Sequence, residues 1–192
     1  TLLFGGSGAQ LFGDTWEWSG SVWTTVASAT SPTPREGHAM VHDSSRSRTV
    51  LFGGRDSNGS PLSETHEFSG TGWSQIFPSR SPPARAGHAM AFDTVRRRTI
   101  LFGGEDADRA LGDTWEWDGA AWTQILTASS PQARAGQVMT YDVARRRVVL
   151  FGGRDASGNP TGDSWEFNGA AWTLRTLASS PPRRSGHALV YD

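Results

Sequence analysis

An all-β fold of four-stranded antiparallel sheets, repeated four times along the chain, is predicted by three features of the sequence. One set of motifs recurs at a near-constant interval, strand-length apolar runs recur within each interval, and clusters of Gly, Pro, Ser and Asp separate those runs. The interval is set by Phe-Gly-Gly at Phe4, Phe52, Phe102 and Phe151, spaced by 48, 50 and 49 residues. Four further landmarks keep step with it. DTWEW, ETHEF, DTWEW and DSWEF begin at Asp14, Glu64, Asp113 and Asp163, and a lone Trp follows at Trp23, Trp73, Trp122 and Trp172. An Arg-x-Gly-His motif starts at Arg35, Arg85 and Arg184, with Gln137 in place of the His after Arg134, and an Asp closes each unit at Asp43, Asp93, Asp142 and Asp192. One domain, 1–192, therefore consists of repeats at approximately 1–48, 49–98, 99–147 and 148–192.

Each period resolves into four extended runs, a to d. Strand a (GHAMVHD) carries a small residue at one recurring position, Ala39, Ala89, Val138 and Ala188, as a crowded innermost strand requires. Strand b (TVLF, TILF, VVLF) is apolar throughout, the pattern of a strand buried on both faces, so the sheets must stack on one another. Strand c is the aromatic-Glu-aromatic run. Strand d, from Trp73 as WSQIF, is the most polar and leads into a Pro-rich connector, a common way of blunting an outer edge. Four-stranded sheets of this repeat length, stacked around an axis, describe a β-propeller.

The Gly-Gly after strand b, the spaced Trp residues and the Arg-x-Gly-His lead-in to strand a resemble the kelch repeat family along the whole chain, above all its bacterial members. Kelch propellers usually have six or seven blades, whereas this chain holds four repeats. Its first residues, TLLFGG, are a strand b and its last, GHALVYD, a strand a. What separates them is a turn like Ser44 to Arg48, so the C-terminal strand is expected to pair with the N-terminal strand and close the ring. A four-blade monomer, a homodimer joining two four-blade halves into eight, and an excerpt of a longer propeller all have this strand content.

Composition narrows the function. With no Cys there is no disulfide framework, thiolate nucleophile or sulfur metal site, and 36% apolar content with a net charge of -1 reads as an ordinary soluble chain. No apolar run is long enough to span a membrane, and the start at Thr1 leaves a secreted, processed form open. His38, His88 and His187 share one repeat position and invite a metal-site reading. Gln137 at the same place is a poor ligand, which favours a structural use. Glu17, Glu67, Glu116 and Glu166 invite a paired-carboxylate reading, but a group present in every blade does one job four times, whereas catalysis needs two different environments. The turn aspartates read as hairpin caps. Galactose-oxidase-type copper enzymes are built on kelch blades but use a Tyr cross-linked to Cys, which is excluded here. No catalytic residue, cofactor or metal is expected.

Two arginine populations remain. Those in the a–b turns, such as Arg46, Arg96 and Arg145, stand beside acids and read as a self-paired face, not one for nucleic acid. Arg35, Arg85, Arg134 and Arg184 precede strand a where the d–a and b–c loops meet. In kelch domains that serve as substrate adaptors, arginines resembling these grip acidic peptides, which implies a ligand-binding face. Pairing with nearby Asp or Glu is the equal alternative. The b–c loops differ most between repeats, so Phe12, Arg55, Arg109 and Arg154 are the expected specificity residues. Asp106 and Asp108 give only a weak calcium signal. The expected function is a non-catalytic scaffold for a protein or acidic peptide, with a carbohydrate-binding module as the alternative.

Overall fold

The computed structural model describes residues 1–192 and contains strands and turns but no helix. The first sheet has three strands, β1 (Leu2–Ser7), β2 (Leu11–Trp18) and β3 (Trp23–Thr25). The second runs β4 (Ala39–Asp43), β5 (Arg48–Phe52), β6 (Thr65–Phe68), β7 (Trp73–Ile76), each antiparallel to the next. The third is β8 (Ala89–Asp93), β9 (Arg98–Phe102), β10 (Thr114–Trp117), β11 (Trp122–Ile125). After a two-residue strand β12 (Arg134–Ala135), the fourth sheet holds β13 (Val138–Asp142), β14 (Arg147–Phe151), β16 (Ser164–Phe167) and β17 (Trp172–Arg175); the short β15 (Arg154–Asp155) pairs with β12. These are the four-stranded antiparallel blades that the repeat predicts, with the a strands innermost.

Strand b is the core of each blade. Val50, Leu51 and Phe52 in β5, and Ile100, Leu101 and Phe102 in β9, are fully buried because neighbouring blades cover both faces. The Phe-Gly-Gly that ends this strand is fixed by geometry. Gly53 has φ +65°, and a Cβ there would stand 2.5 Å from the Arg85 carbonyl oxygen, so only glycine lets the next repeat's d–a loop pass so close. In β4 and β5 the register pairs Ala39 with Phe52 and Asp43 with Arg48.

Blades join through three recurring devices, the first two present at all three junctions and the third from the second blade onward. Trp73, Trp122 and Trp172 each donate from Nε1 to a threonine of the preceding blade, Thr15, Thr65 and Thr114, at 2.9 Å. The same rings meet Phe4, Phe52 and Phe102 edge-on, with centroids 5.2 to 5.3 Å apart. Nearer the axis, the amides of Gly87, Gly136 and Gly186 donate in turn to the carbonyls of Gly37, Gly87 and Gly136.

The ring expected from sequence is not formed. Residues 186–192 make no strand and do not pair with β1, whose sheet stays three-stranded. Tyr191 instead lines a cavity with Met139, Thr140 and Tyr141 of β13, beside the last blade. Four equal junctions close a ring only if each turns the chain by a quarter turn. No backbone hydrogen bond joins residues 186–192 to the first sheet.

The second difference is in the first b–c loop. β1 and β2 continue past the Gly-Gly through an irregular register to pair Gly6 with Phe12 and Ser7 with Leu11. Phe12, expected in a loop, therefore lies in a strand, where it is exposed.

Candidate binding face

The d–a and b–c loops meet on one face, as expected, through the bridges Glu36 to Arg55, Ala86 to Glu105 and Ala135 to Arg154. The arginines beneath it are not at its surface. Arg35, Arg85 and Arg134 are 0%, 0% and 1% exposed. Arg85 shows why. Its amide donates to the Leu62 carbonyl, and the amide of Gly54 donates to its own carbonyl, which fixes its backbone to one blade. The guanidinium crosses to the next, donating to the Gly103 carbonyl at 3.0 Å and to both carboxylate oxygens of Asp113 at 2.6 and 2.8 Å. Arg134 grips Asp163 in the same bidentate way and Arg35 reaches Glu64 at 2.5 Å. Burial pushes the Asp113 carboxyl upward, but the hydrogen bonds and charge of Arg85, helped by Trp115 Nε1, outweigh it and hold the group below its ordinary value. Of the two readings of these residues, pairing is the one their geometry supports, and the expected ligand-gripping role is corrected for all three. Arg184, the fourth, is exposed, and its side chain donates only to the Pro182 carbonyl.

The histidines pack against phenylalanines, His88 buried and His38 and His187 half-buried, and form no metal cluster. His88 lies edge-on to Phe52 with centroids 5.5 Å apart, and His38 and His187 take the same place on Phe4 and Phe151. Burial, then the positive charge of the neighbouring Arg85, pushes the His88 pKa down to about 3, and burial with Arg35 brings His38 to about 4. At the equivalent point Gln137 donates from Nε2 to the Phe102 carbonyl at 2.8 Å.

The strand-c glutamates Glu67, Glu116 and Glu166 and the turn aspartates Asp43, Asp93 and Asp142 are likewise held in structural contacts, whereas Glu17 is exposed. Glu67 takes both terminal nitrogens of Arg46 and the Nε1 of Trp117 from the next blade, while Asp43 caps its turn through the amides of Ser45 and Arg46. Glu116 and Glu166 are paired with Arg96 and Arg145, which makes the a–b face self-neutralising. Asp106 caps its own loop through the amides of Asp108 and Arg109.

What the loop face offers is a different cluster. Arg55 and Arg154, from blades that are not adjacent, both donate to Oε1 of Glu105 on the blade between them, at 2.8 and 3.1 Å. Arg109 stands at the rim with its side chain 77% exposed, and the cluster lines a cavity of about 260 Å³ with Asp106 and Asp108. Three of the expected specificity residues are thus brought together and Phe12 is not among them. Glu105 was missed, although the residues after the last three Gly-Gly pairs (Arg55, Glu105, Arg154) alternate in charge and so signal a shared site.

Repeated four-stranded blades joined by tryptophan and arginine ties define a β-propeller-type repeat domain. The family model described as the KLHDC2/KLHL20/DRC7 Kelch-repeats domain matches residues 1–128 and again 67–192, so the chain belongs to the kelch repeat family. Kelch repeat domains are typically protein-interaction scaffolds. No curated protein matches the chain.

Proposed function

We propose that the chain is a non-catalytic scaffold that binds a protein segment or acidic peptide on the face formed by its d–a and b–c loops. The observation that carries this reading is Glu105, whose one oxygen is shared by two partly exposed guanidiniums. Two forks of five donors each cannot be satisfied by a single oxygen, so Arg55 and Arg154 keep donors directed at an incoming carboxylate. Arg109 adds a further charge at the rim. Unlike the buried Arg–Asp ties, none of these side chains holds two blades' cores together.

Titration of acidic peptides at low and high salt tests the proposal. Binding should weaken with salt, and Arg55→Ala and Arg154→Ala should each lower affinity about tenfold. Glu105→Gln should raise affinity, because the internal competitor loses its charge. Salt-independent binding of a neutral glycan, unaffected by these changes, would overturn the peptide reading in favour of a carbohydrate module.

A further inference from the structure

The chain holds two Asn-Gly pairs, Asn58–Gly59 and Asn168–Gly169, and the fold treats them differently. In such a pair the glycine's backbone nitrogen can attack the asparagine's side-chain carbonyl, because no Cβ shields it. The attack needs a free nitrogen, a polarised carbonyl and a stabilised developing charge. At Asn58 the nitrogen is engaged: the Gly59 amide donates to the Asp56 carbonyl at 2.9 Å, and no hydrogen bond polarises the Asn58 side chain.

At Asn168 all three conditions are met. Asn168 is exposed in the turn between β16 and β17, as is its equivalent Asp118, which has a blade on either side. Its Oδ1 accepts from the amides of Ala170 and Ala171, both at 2.8 Å, the geometry of a pair of oxyanion-hole donors. The Gly169 amide donates to nothing. The guanidinium of Arg96, from the third blade, packs on Gly169, where a Cβ would stand 2.5 Å from its Nε. Of the side-chain nitrogens of Arg96 only Nη2 is hydrogen-bonded, to Glu116, and Nη1 is buried with no partner. A cation so placed favours the deprotonated Gly169 nitrogen that is the nucleophile.

We propose that Asn168–Gly169 is a self-modifying site, which converts without an enzyme through a cyclic imide to aspartate or isoaspartate, while Asn58–Gly59 is held back. The Gly169 nitrogen bonds to Asn168 Cγ, the Cγ–Nδ2 bond breaks, and Nδ2 leaves as ammonia with the proton that Gly169 gives up. Water then opens the ring. Addition at Cγ breaks the new bond to nitrogen and leaves aspartate, whereas addition at the Asn168 backbone carbonyl carbon breaks the original peptide bond and leaves isoaspartate. The third blade shows that the turn accepts aspartate: Asp118 heads the run Asp-Gly-Ala-Ala-Trp and takes the amides of Ala120 and Ala121 at 2.8 Å each. That product adds a negative charge beside Arg96. Isoaspartate lengthens the backbone in the turn that sets Phe167 opposite Trp172.

The test incubates the whole chain at mildly alkaline pH and follows both pairs by mass spectrometry after trypsin cleavage. The chain has no Lys, so the pairs fall in separate segments, 56–80 and 155–175, and Asn159 is silent because Pro160 has no N–H to give up. In the folded chain Asn168 should convert at least about fivefold faster than Asn58, since the Gly59 amide must first break its hydrogen bond. In denaturant the two should convert at similar rates. Arg96→Ala should slow Asn168 several-fold without changing Asn58, and Arg96→Lys, which keeps the charge, should restore the rate. Equal rates in the folded chain, or a faster Asn58, would overturn the proposal. An unaltered Asn168 rate in Arg96→Ala would overturn the part assigned to Arg96.

Discussion

The junction between the second and third blades and the free flank of the first are built from the same residues at the same repeat positions, yet they differ in nearly every physical property. At the junction Trp122 is buried on Phe52 and bonded to Thr65, and Arg85 is buried on Asp113. On the flank Trp23 is half exposed, its ring tilted only against Trp18 of its own sheet. The motif does not create the buried tie; the neighbouring blade does. Stability in such an array resides in the interfaces more than in the units, as in other repeat proteins whose units contact only their neighbours.

The largest expected effect follows directly. Trp122→Ala removes a buried indole with both its edge-on contact and its hydrogen bond, and should cost roughly 3 to 5 kcal/mol in unfolding free energy. Trp23→Ala should cost less than about 0.5 kcal/mol, as exposed substitutions do. Equal losses in denaturant titrations of the two variants would erase the contrast between junction and flank.

The strands were legible because each is encoded four times. An apolar run such as Thr99 to Phe102 is ambiguous alone, but its recurrence with a Gly-Gly and a Trp at fixed offsets leaves one reading. The arginine roles were not legible for an equally physical reason. Arg85 and Asp113 are 28 residues apart in sequence and meet only because one blade stacks on the next, and sequence spacing carries no such distance. Phe12 was misplaced because the first b–c connection lacks the turn residues of the others and extends its strands instead. Ring closure could be read from strand content, but whether it occurs depends on the angle per junction, which no motif encodes.

A second contrast lies within the repeat itself, between His88 and the Gln137 that replaces it one blade later. The His88 pKa falls from an ordinary 6.5 to about 3, so between these values the unfolded chain binds a proton that the folded one refuses. Its contribution to stability is complete above about pH 6.5 and is lost as pH falls toward 3, reaching about 3 kcal/mol of loss near pH 4. The carboxylates of Asp113 and Asp163 are held low and act in the same direction, but only below their ordinary range near 4, so the upper window belongs to the histidines. Replacing His88→Gln should flatten the melting curve's dependence on pH between 6.5 and 4. A slope as steep as in the unmodified chain would show that His88 is not the group being titrated.

Small effects should come from the a–b turn arginines, down to none at Arg145, and their order reads out how far the junction's influence extends. Arg46 lies mostly buried between Asp43 and Glu67, and Trp117 of the next blade shares that glutamate. Arg145 makes the equivalent contacts to Asp142 and Glu166, but its side chain is 55% exposed. Water and salt screen an exposed pair and its ordering costs side-chain entropy, so most of its apparent attraction cancels. Arg46→Ala leaves a buried carboxylate with one partner fewer and should cost about 1 kcal/mol. Arg145→Ala should leave the melting midpoint unmoved within error in moderate salt. Because the two arginines occupy one repeat position, a reversed order would mean that the covering blade does not set their worth, and the distinction between covered and uncovered contacts would fail at its weakest point.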